Sequence, residues 1–248
     1  MDWHILKTVT PLEGLMGEIR PLWFMTGNLG KLDEAQQILG PLGYHVSQFL
    51  IAGQVPEVLE PQADSLLVVA KEKMRQAREI LSSLGRGDEA VLVEDAGLFI
   101  DSLGGFPGVY SSHALATIGY SGILRLLQGI GELSTDAPAS IEGSGTDRSA
   151  YFQAVAALWD GEQTHFGVGL CPGRIALAAT EGNGFGFDPI FIPDDLRPDG
   201  KPLRSGERGV VSTEGIPFGG VEMVVKQEFS HRRRALHALI LAIGAPSA

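Results

Sequence analysis

Two adjacent acids, Glu94 and Asp95, follow the short apolar run Ala90-Val91-Leu92-Val93. A run of that length with two valines reads as a buried strand. Carboxylates at the C-terminal end of such a strand lie where open α/β sheets bind ligands. Side by side they would offer the hard oxygen donors that magnesium prefers. The plainer reading is an acidic strand end facing water, with the turn Gly104-Gly105-Phe106-Pro107-Gly108 behind it.

Three other stretches carry chemistry. The first is Thr26-Gly27-Asn28-Leu29-Gly30-Lys31, between the apolar run Leu22-Trp23-Phe24-Met25 and apolar residues at helical spacing (Leu32, Ala35, Ile38, Leu39). This is strand, Gly-rich turn and helix, and the N–H groups of such a turn suit a phosphate. Lys31 at the helix start opposes the helix dipole; either an anion binds there or the lysine is solvated. The second stretch is Gly184-Phe185-Gly186-Phe187-Asp188-Pro189. Alternating glycine and phenylalanine closed by an acid suits a flat aromatic ring, with Phe as the stacking face and Asp as an acceptor; otherwise it is an aromatic turn plugging the core. The third runs from Lys226 to Ser230-His231-Arg232-Arg233-Arg234, with Ser230 as the expected N-cap of a helix through Ile243. Its first turn is again crowded with cations, which calls for an anion or for a solvated basic face.

The elements that hold these residues follow from periodicity. A strand is expected over 44–52, a helix over 65–84 capped by Asp64 with the stripe Leu66, Val69, Ala70, Met74, Ala77 and Leu81, and a short helix over 120–127. Residues 149–159 and 164–170 read as strands joined at Asp160-Gly161, with a further strand over 174–179. Strand–helix units followed by a meander make a mixed sheet. Residues 129–148 and 195–220 read as loops, and 1–20 as an extension of unassigned role. The chain of 248 residues, 44% hydrophobic and 20% charged, is long enough for a sizeable core. Its net charge of −11 argues against nucleic acid as partner. One cysteine, Cys171, excludes an internal disulfide and suits a cytoplasmic setting with a structural thiol. No run of roughly eighteen apolar residues is present to span a membrane.

Taken together and in order, the four stretches resemble the inosine triphosphate pyrophosphatase family, which hydrolyses dITP, ITP and XTP to monophosphate and pyrophosphate, and most of all its archaeal branch. The resemblance extends over nearly all of residues 22–243. It implies an α/β fold of the inosine-triphosphatase type over 21–248: a single domain with a long mixed central sheet flanked by helices, and two lobes with the active-site cleft between them. It also implies a homodimer and a Mg2+ cofactor. By the same resemblance Asp95 is the general base and a metal ligand, with Glu94 and Glu60 as further metal ligands and Glu57 the alternative to Glu60. Thr26, Gly27, Asn28, Leu29, Gly30 and Lys31 would hold the triphosphate, helped by Lys73. Phe185 would stack on the purine, with Asp188, His231 and Arg232 reading its edge, while Gly186, Phe187, Ser230 and Lys226 complete the substrate-binding set.

Ala96 departs from the family, which has Ser or Thr beside the base, so one hydroxyl contact to substrate is lost. The loop over 197–220 is longer than usual. Two rival readings are a related Maf-like pyrophosphatase acting on modified pyrimidine nucleotides and a nucleotide-binding protein without turnover.

Overall fold

The structure is a computed structural model that describes residues 20–132, 148–182 and 185–244. The extension over 1–19, the loop 133–147, and Asn183 and Gly184 of the aromatic stretch lie outside the described residues. The elements in chain order are β1 (Arg20–Phe24), α1 (Leu29–Leu39), β2 (Tyr44–Gln48), α2 (Leu66–Ser83), β3 (Val91–Ile100), α3 (Ser111–Thr117), α4 (Gly119–Glu132), β4 (Ser149–Trp159), β5 (Thr164–Ile175), β6 (Phe191–Pro193), α5 (Met223–Glu228) and α6 (His231–Gly244). The six strands form one sheet in the order β2-β1-β3-β4-β5-β6. β1 pairs in parallel with β2 and β3, and β5 antiparallel with β6, so the sheet is mixed as expected.

The described residues form two compact units. One comprises residues 20–96, 153–170 and 231–244; we call it the phosphate unit, after the role its turn was expected to play. The other comprises residues 97–132, 148–152, 171–182 and 185–230, and we call it the aromatic unit.

In the phosphate unit the two sheet faces are covered separately. Leu22, Phe24, Leu92, Ala154, Ala156 and Leu158 pack with α1 and α6 through Ala35, Leu39, Ala235, Leu236 and Leu239. Met25, Val91, Val93, Ala157 and Trp159 pack with α2 through Met74, Ala77 and Leu81. Alternate residues of each strand thus serve opposite cores, as strand geometry requires.

α6 lies directly on β5. A Cβ on Gly169 would sit 2.0 Å from the carbonyl oxygen of His231 and 2.3 Å from the amide of Ala235, and one on Gly167 would sit 2.1 Å from the Ala235 carbonyl. These glycines are the reason the helix that starts with His231 and Arg232 can approach so closely. Gly169→Ala forces backbone against backbone, so we expect a loss of about 1–3 kcal/mol in urea melts. An unchanged melt would show that α6 can move away freely.

The aromatic unit is built on Leu98, Ile100, Ala150, Cys171, Ile175, Phe187, Ile190, Phe191, Phe218 and Phe229. The lone cysteine is buried in this core, as expected of a structural thiol. The turn after β3 uses left-handed glycines at 104, 105 and 108. Ser111 secures it, accepting from the Leu98 amide at 2.8 Å and donating to the Gly108 carbonyl at 2.7 Å. Residues 195–220 fold around buried Leu196, which bridges to Pro202 and Val211.

Several expected boundaries move. β3 does not end at the acids but continues to Ile100, because Leu98 and Ile100 supply a second buried stretch. β2 ends at Gln48, leaving Ile51 in an isolated bridge with Gln54. Ser65 caps α2 in place of Asp64, its hydroxyl accepting from the Val68 amide. The strand expected at 164–170 runs on as β5 to Ile175, the one expected over 174–179 does not form beyond Ile175, and the helix expected at 120–127 is the longer α4 preceded by α3. Among the described residues no helix is long and apolar enough to cross a membrane.

Candidate active site

Neighbouring residues of a strand face opposite ways, and this separates the two acids. Glu94 follows Leu92 to the α1–α6 face, and Asp95 follows Val93 to the α2 face. The expectation of a side-by-side carboxylate pair is therefore corrected: each acid belongs to a different cluster.

Glu94 is wholly buried and faces two cations. Lys31 Nζ lies 2.5 Å from Oε2, and Arg232 Nε lies 3.4 Å from Oε1. Arg232 also donates from Nη1 to Glu34 at 2.8 Å. Burial alone would push the Glu94 carboxyl up, but Lys31 and Arg232 outweigh it and hold the group down at about 2. Arg232, whose charge burial opposes, is kept cationic by Glu94 and Glu34. One protein carboxylate thus answers both helix starts that called for an anion. Glu34, which sequence reasoning missed, lies one turn after Lys31, the i,i+3 spacing that places both on one helix face.

Asp95 faces α2. Its Oδ1 accepts from Lys73 Nζ at 3.1 Å, and the same ammonium lies 2.6 Å from Glu60 Oε1. Asp95 Oδ2 is buried with no hydrogen-bond partner among the described residues. Burial raises the Asp95 carboxyl above its ordinary value, and Lys73 and Lys31 offset only part of that. Burial disfavours the charge of Lys73, but Asp95 and Glu60 reverse this and raise its pKa. Of the two glutamates considered for the loop before α2, Glu60 joins this group. Among the described residues no three acid, histidine or cysteine side chains form a ready metal cage, and Glu94, expected as a ligand, is taken by Lys31 and Arg232.

The turn before α1 is ordered by its own side chains. Thr26 Oγ1 accepts from the Asn28 amide at 3.1 Å, and Asn28 Oδ1 caps the helix by accepting from the Lys31 amide at 3.2 Å. Gln48 donates to the Thr26 carbonyl at 2.7 Å, tying the turn to β2. Leu29 and Asn28 are exposed, and Gly27 has open space where a Cβ would stand. Ala96 packs on the α1–α6 core.

In the aromatic unit Phe185 is 63% exposed, whereas Phe187 two residues on is buried. Asp188 is buried and its Oδ2 accepts from the Phe185 amide at 3.0 Å and from Lys226 Nζ at 2.5 Å. Lys226 Nζ stands 4.7 Å from the centre of the Phe185 ring. Gly186 has φ +68° and makes the turn possible. Phe187, expected beside the ligand, is spent on the core of this unit. Ser230 closes this unit, and His231 opens α6 in the other.

The fold is an α/β one with a mixed sheet, and the site pairs a buried base-like carboxylate with lysines. A family model described as the Ham1 family matches residues 22–242. A protein named dITP/XTP pyrophosphatase from Thermococcus kodakarensis is 38% identical over 194 residues, covering 78% of this chain and 91% of that protein. One of the same name from Methanopyrus kandleri is 36% identical over 213 residues, covering 86% and 90%. Among solved structures, a HAM1 protein from Coxiella burnetii shares the fold with a TM-score of 0.65 at 23% identity, covering 90% of this chain and 98% of that one. A nucleoside-triphosphatase, dITP/XTP pyrophosphatase, from Mycobacterium abscessus aligns with a TM-score of 0.56 at 28% identity, covering 88% and 97%. The chain belongs to the Ham1 family.

Proposed function

We propose that this chain hydrolyses non-standard purine nucleoside triphosphates (ITP, dITP and XTP) to the monophosphate and pyrophosphate. One observation carries the reading: Asp95 is a buried carboxylate with Oδ2 unpartnered among the described residues and Oδ1 on a lysine. It stands in a chain whose relatives are named dITP/XTP pyrophosphatases. A water held on Oδ2 loses its proton to Asp95 as its oxygen attacks the α–β anhydride, and pyrophosphate leaves. A base is most effective with a pKa near working pH, and burial moves Asp95 in that direction.

A divalent cation, for which we propose Mg2+, fits Glu60 and Asp95. Magnesium is usually held by one or two carboxylates together with substrate phosphates and waters. Here two carboxylates already share one cationic group, Lys73, and one of them has a spare buried oxygen. When bound, such an ion supplies phosphate charge neutralisation and a more acidic water. Lys73 and Lys31 would take up phosphate charge, and the first-turn N–H groups of α1 other than that of Lys31, which Asn28 caps, are donors without intrahelical partners.

The base falls to the aromatic unit. Phe185 offers an open stacking face, and Lys226 is a donor beside it. A 6-oxo purine presents an acceptor where adenine presents an amino donor, so a cationic donor accepts the first and opposes the second. Asp188 acts from inside, fixing Lys226 and the Phe185 turn. We also propose that the chain works as a homodimer in the cytoplasm.

The test is purified protein with Mg2+ and a panel of triphosphates, measuring pyrophosphate and monophosphate. Release from ITP, dITP and XTP but not ATP is expected. No release from any of them sinks the proposal, and release from modified pyrimidine nucleotides alone favours the Maf-like reading. Phe185→Ala should raise KM for ITP about 10–100-fold, since stacking on one aromatic ring is worth about 1–3 kcal/mol. Its melting temperature should stay put, because the ring is exposed. An unchanged KM removes Phe185 from the site.

A further inference from the structure

Glu60 stands in the stretch between β2 and α2, which apart from the Ile51–Gln54 bridge has neither helix nor strand. A loop side chain that must help hold an ion needs its backbone fixed. Val55 and Val58 pack the earlier part of this stretch against the α2 core. Beyond Val58 the chain is exposed, with Leu59 83% accessible. One side chain grips it there. Gln76 Oε1 accepts from the Leu59 amide at 2.8 Å, and Gln76 Nε2 donates to the Leu59 carbonyl at 2.8 Å. The clasp reproduces what a neighbouring strand would do, and it closes on the residue immediately before Glu60.

The clasp has its own support. Gln76 Nε2 also donates to Glu72 Oε1 at 2.9 Å, one turn earlier on α2. Glu72 is in turn held by Arg75, through Nε at 2.9 Å and Nη2 at 2.7 Å. Gln76 itself lies three residues after Lys73, so the two share a helix face. Lys73 takes the Glu60 side chain and Gln76 takes the main chain beside it. Only a carboxamide carries an acceptor and a donor side by side on one planar group. A carboxylate of the same shape would meet the Leu59 carbonyl with like charge.

We propose that Gln76 is a positioning residue for the divalent cation: by clasping Leu59 it sets the place of Glu60 beside Asp95. The inference rests on the cation reading given above. Residues that orient a ligand without touching the metal typically change metal affinity about 10–100-fold when replaced.

The experiment compares wild type with Gln76→Glu and Gln76→Met in the full chain. Three quantities are read: Mg2+ affinity by calorimetry without nucleotide, amide exchange at Leu59, and ITP turnover against Mg2+ concentration. Both variants should bind Mg2+ about tenfold more weakly and exchange the Leu59 amide faster. Their half-saturating Mg2+ should rise by the same factor while kcat at saturating Mg2+ stays at the wild-type value. The last point separates positioning from general damage, which would lower kcat at any Mg2+ concentration. Unchanged Leu59 exchange, or freed exchange with wild-type Mg2+ affinity, overturns the proposal. Wild type that binds Mg2+ but hydrolyses no nucleotide sinks the functional reading and leaves the clasp to stand or fall on the first two measurements. Wild type whose ITP turnover does not depend on Mg2+ overturns the proposal.

Discussion

Asp95→Asn is expected to lower kcat for ITP hydrolysis by about a thousandfold, since a positioned general base contributes about 10²–10⁴-fold. The substitution keeps the shape of the side chain and removes its ability to take a proton. Nucleotide binding measured without Mg2+ should survive, because Lys31, Phe185 and Lys226 are untouched. Stability should survive as well. The folded-state pKa of Asp95 is raised, first by burial, with Lys73 and Lys31 offsetting only part of that. A carboxyl raised in the folded state contributes stability only while protonated, and that contribution is lost as pH climbs past its ordinary value. At neutral pH the ionised Asp95 is therefore a net cost, and neutral asparagine removes it. Lys73 keeps Glu60 as partner. Equal or higher resistance to urea with loss of turnover is the expected pair of results. Near-normal turnover would remove Asp95 from the role of base. The wild-type rate should also rise with pH through a value above the ordinary aspartate range; a rate flat from pH 4 upward would contradict the buried base.

What could be read from the chain alone divides by range. The stripe Leu66, Val69, Ala70, Met74, Ala77, Leu81 is the set of residues α2 buries, because helical periodicity is local. The limits of β4 at Ser149 and Trp159 were legible for the same reason. The acids were misplaced because their partners lie far away in sequence. A strand interior carrying Glu94 and Asp95 looks implausible until Lys31, Arg232 and Lys73 arrive to compensate them. With the partners out of view, an acidic strand end was the cheaper assumption. The two cationic helix starts were recognised as needing an anion, and that need was real. Its answer, Glu94, lies 63 residues past Lys31 and 138 before Arg232 in the numbering, so only the fold could supply it. Glu34 and Gln76 were missed because polar residues on a helix usually face water, and nothing in their spacing distinguished these two from solvated neighbours. Phe185 and Phe187 are alternate residues of one motif, yet one is open and the other buried. Alternation signalled two faces without saying which was inside.

The buried charge cluster makes the second large prediction. Glu94→Gln leaves Lys31 and Arg232 facing a neutral amide at a fully buried position. Removing one partner of a buried ion pair usually costs about 3–5 kcal/mol, because the surviving charge is left uncompensated. Glu34 still pairs with Arg232, but among the described residues no second carboxylate pairs directly with Lys31. A loss of about 3–5 kcal/mol in urea melts at pH 7 follows. Its pH dependence separates a charge effect from a packing effect. Burial pushes the Glu94 carboxyl up, the two cations pull it down further, and the result is about 2 against an ordinary value of 4.5. A depressed carboxyl contributes stability that is complete above its unfolded value and is lost as pH falls through its folded one. The difference between wild type and Glu94→Gln should therefore hold steady from pH 7 to pH 5 and shrink between about 4.5 and 2. A shift of this size is worth on the order of 3 kcal/mol across that window. Melts at pH 7, 5 and 3 decide it: a gap that stays constant to pH 3 would mean that Glu94 holds the site by shape and not by charge. Because Lys31 and Arg232 converge on this one side chain, the variant should also weaken triphosphate binding, by freeing both from their common anchor. Tighter binding would mean instead that Glu94 competes with the phosphates for Lys31, and the same titration distinguishes the two.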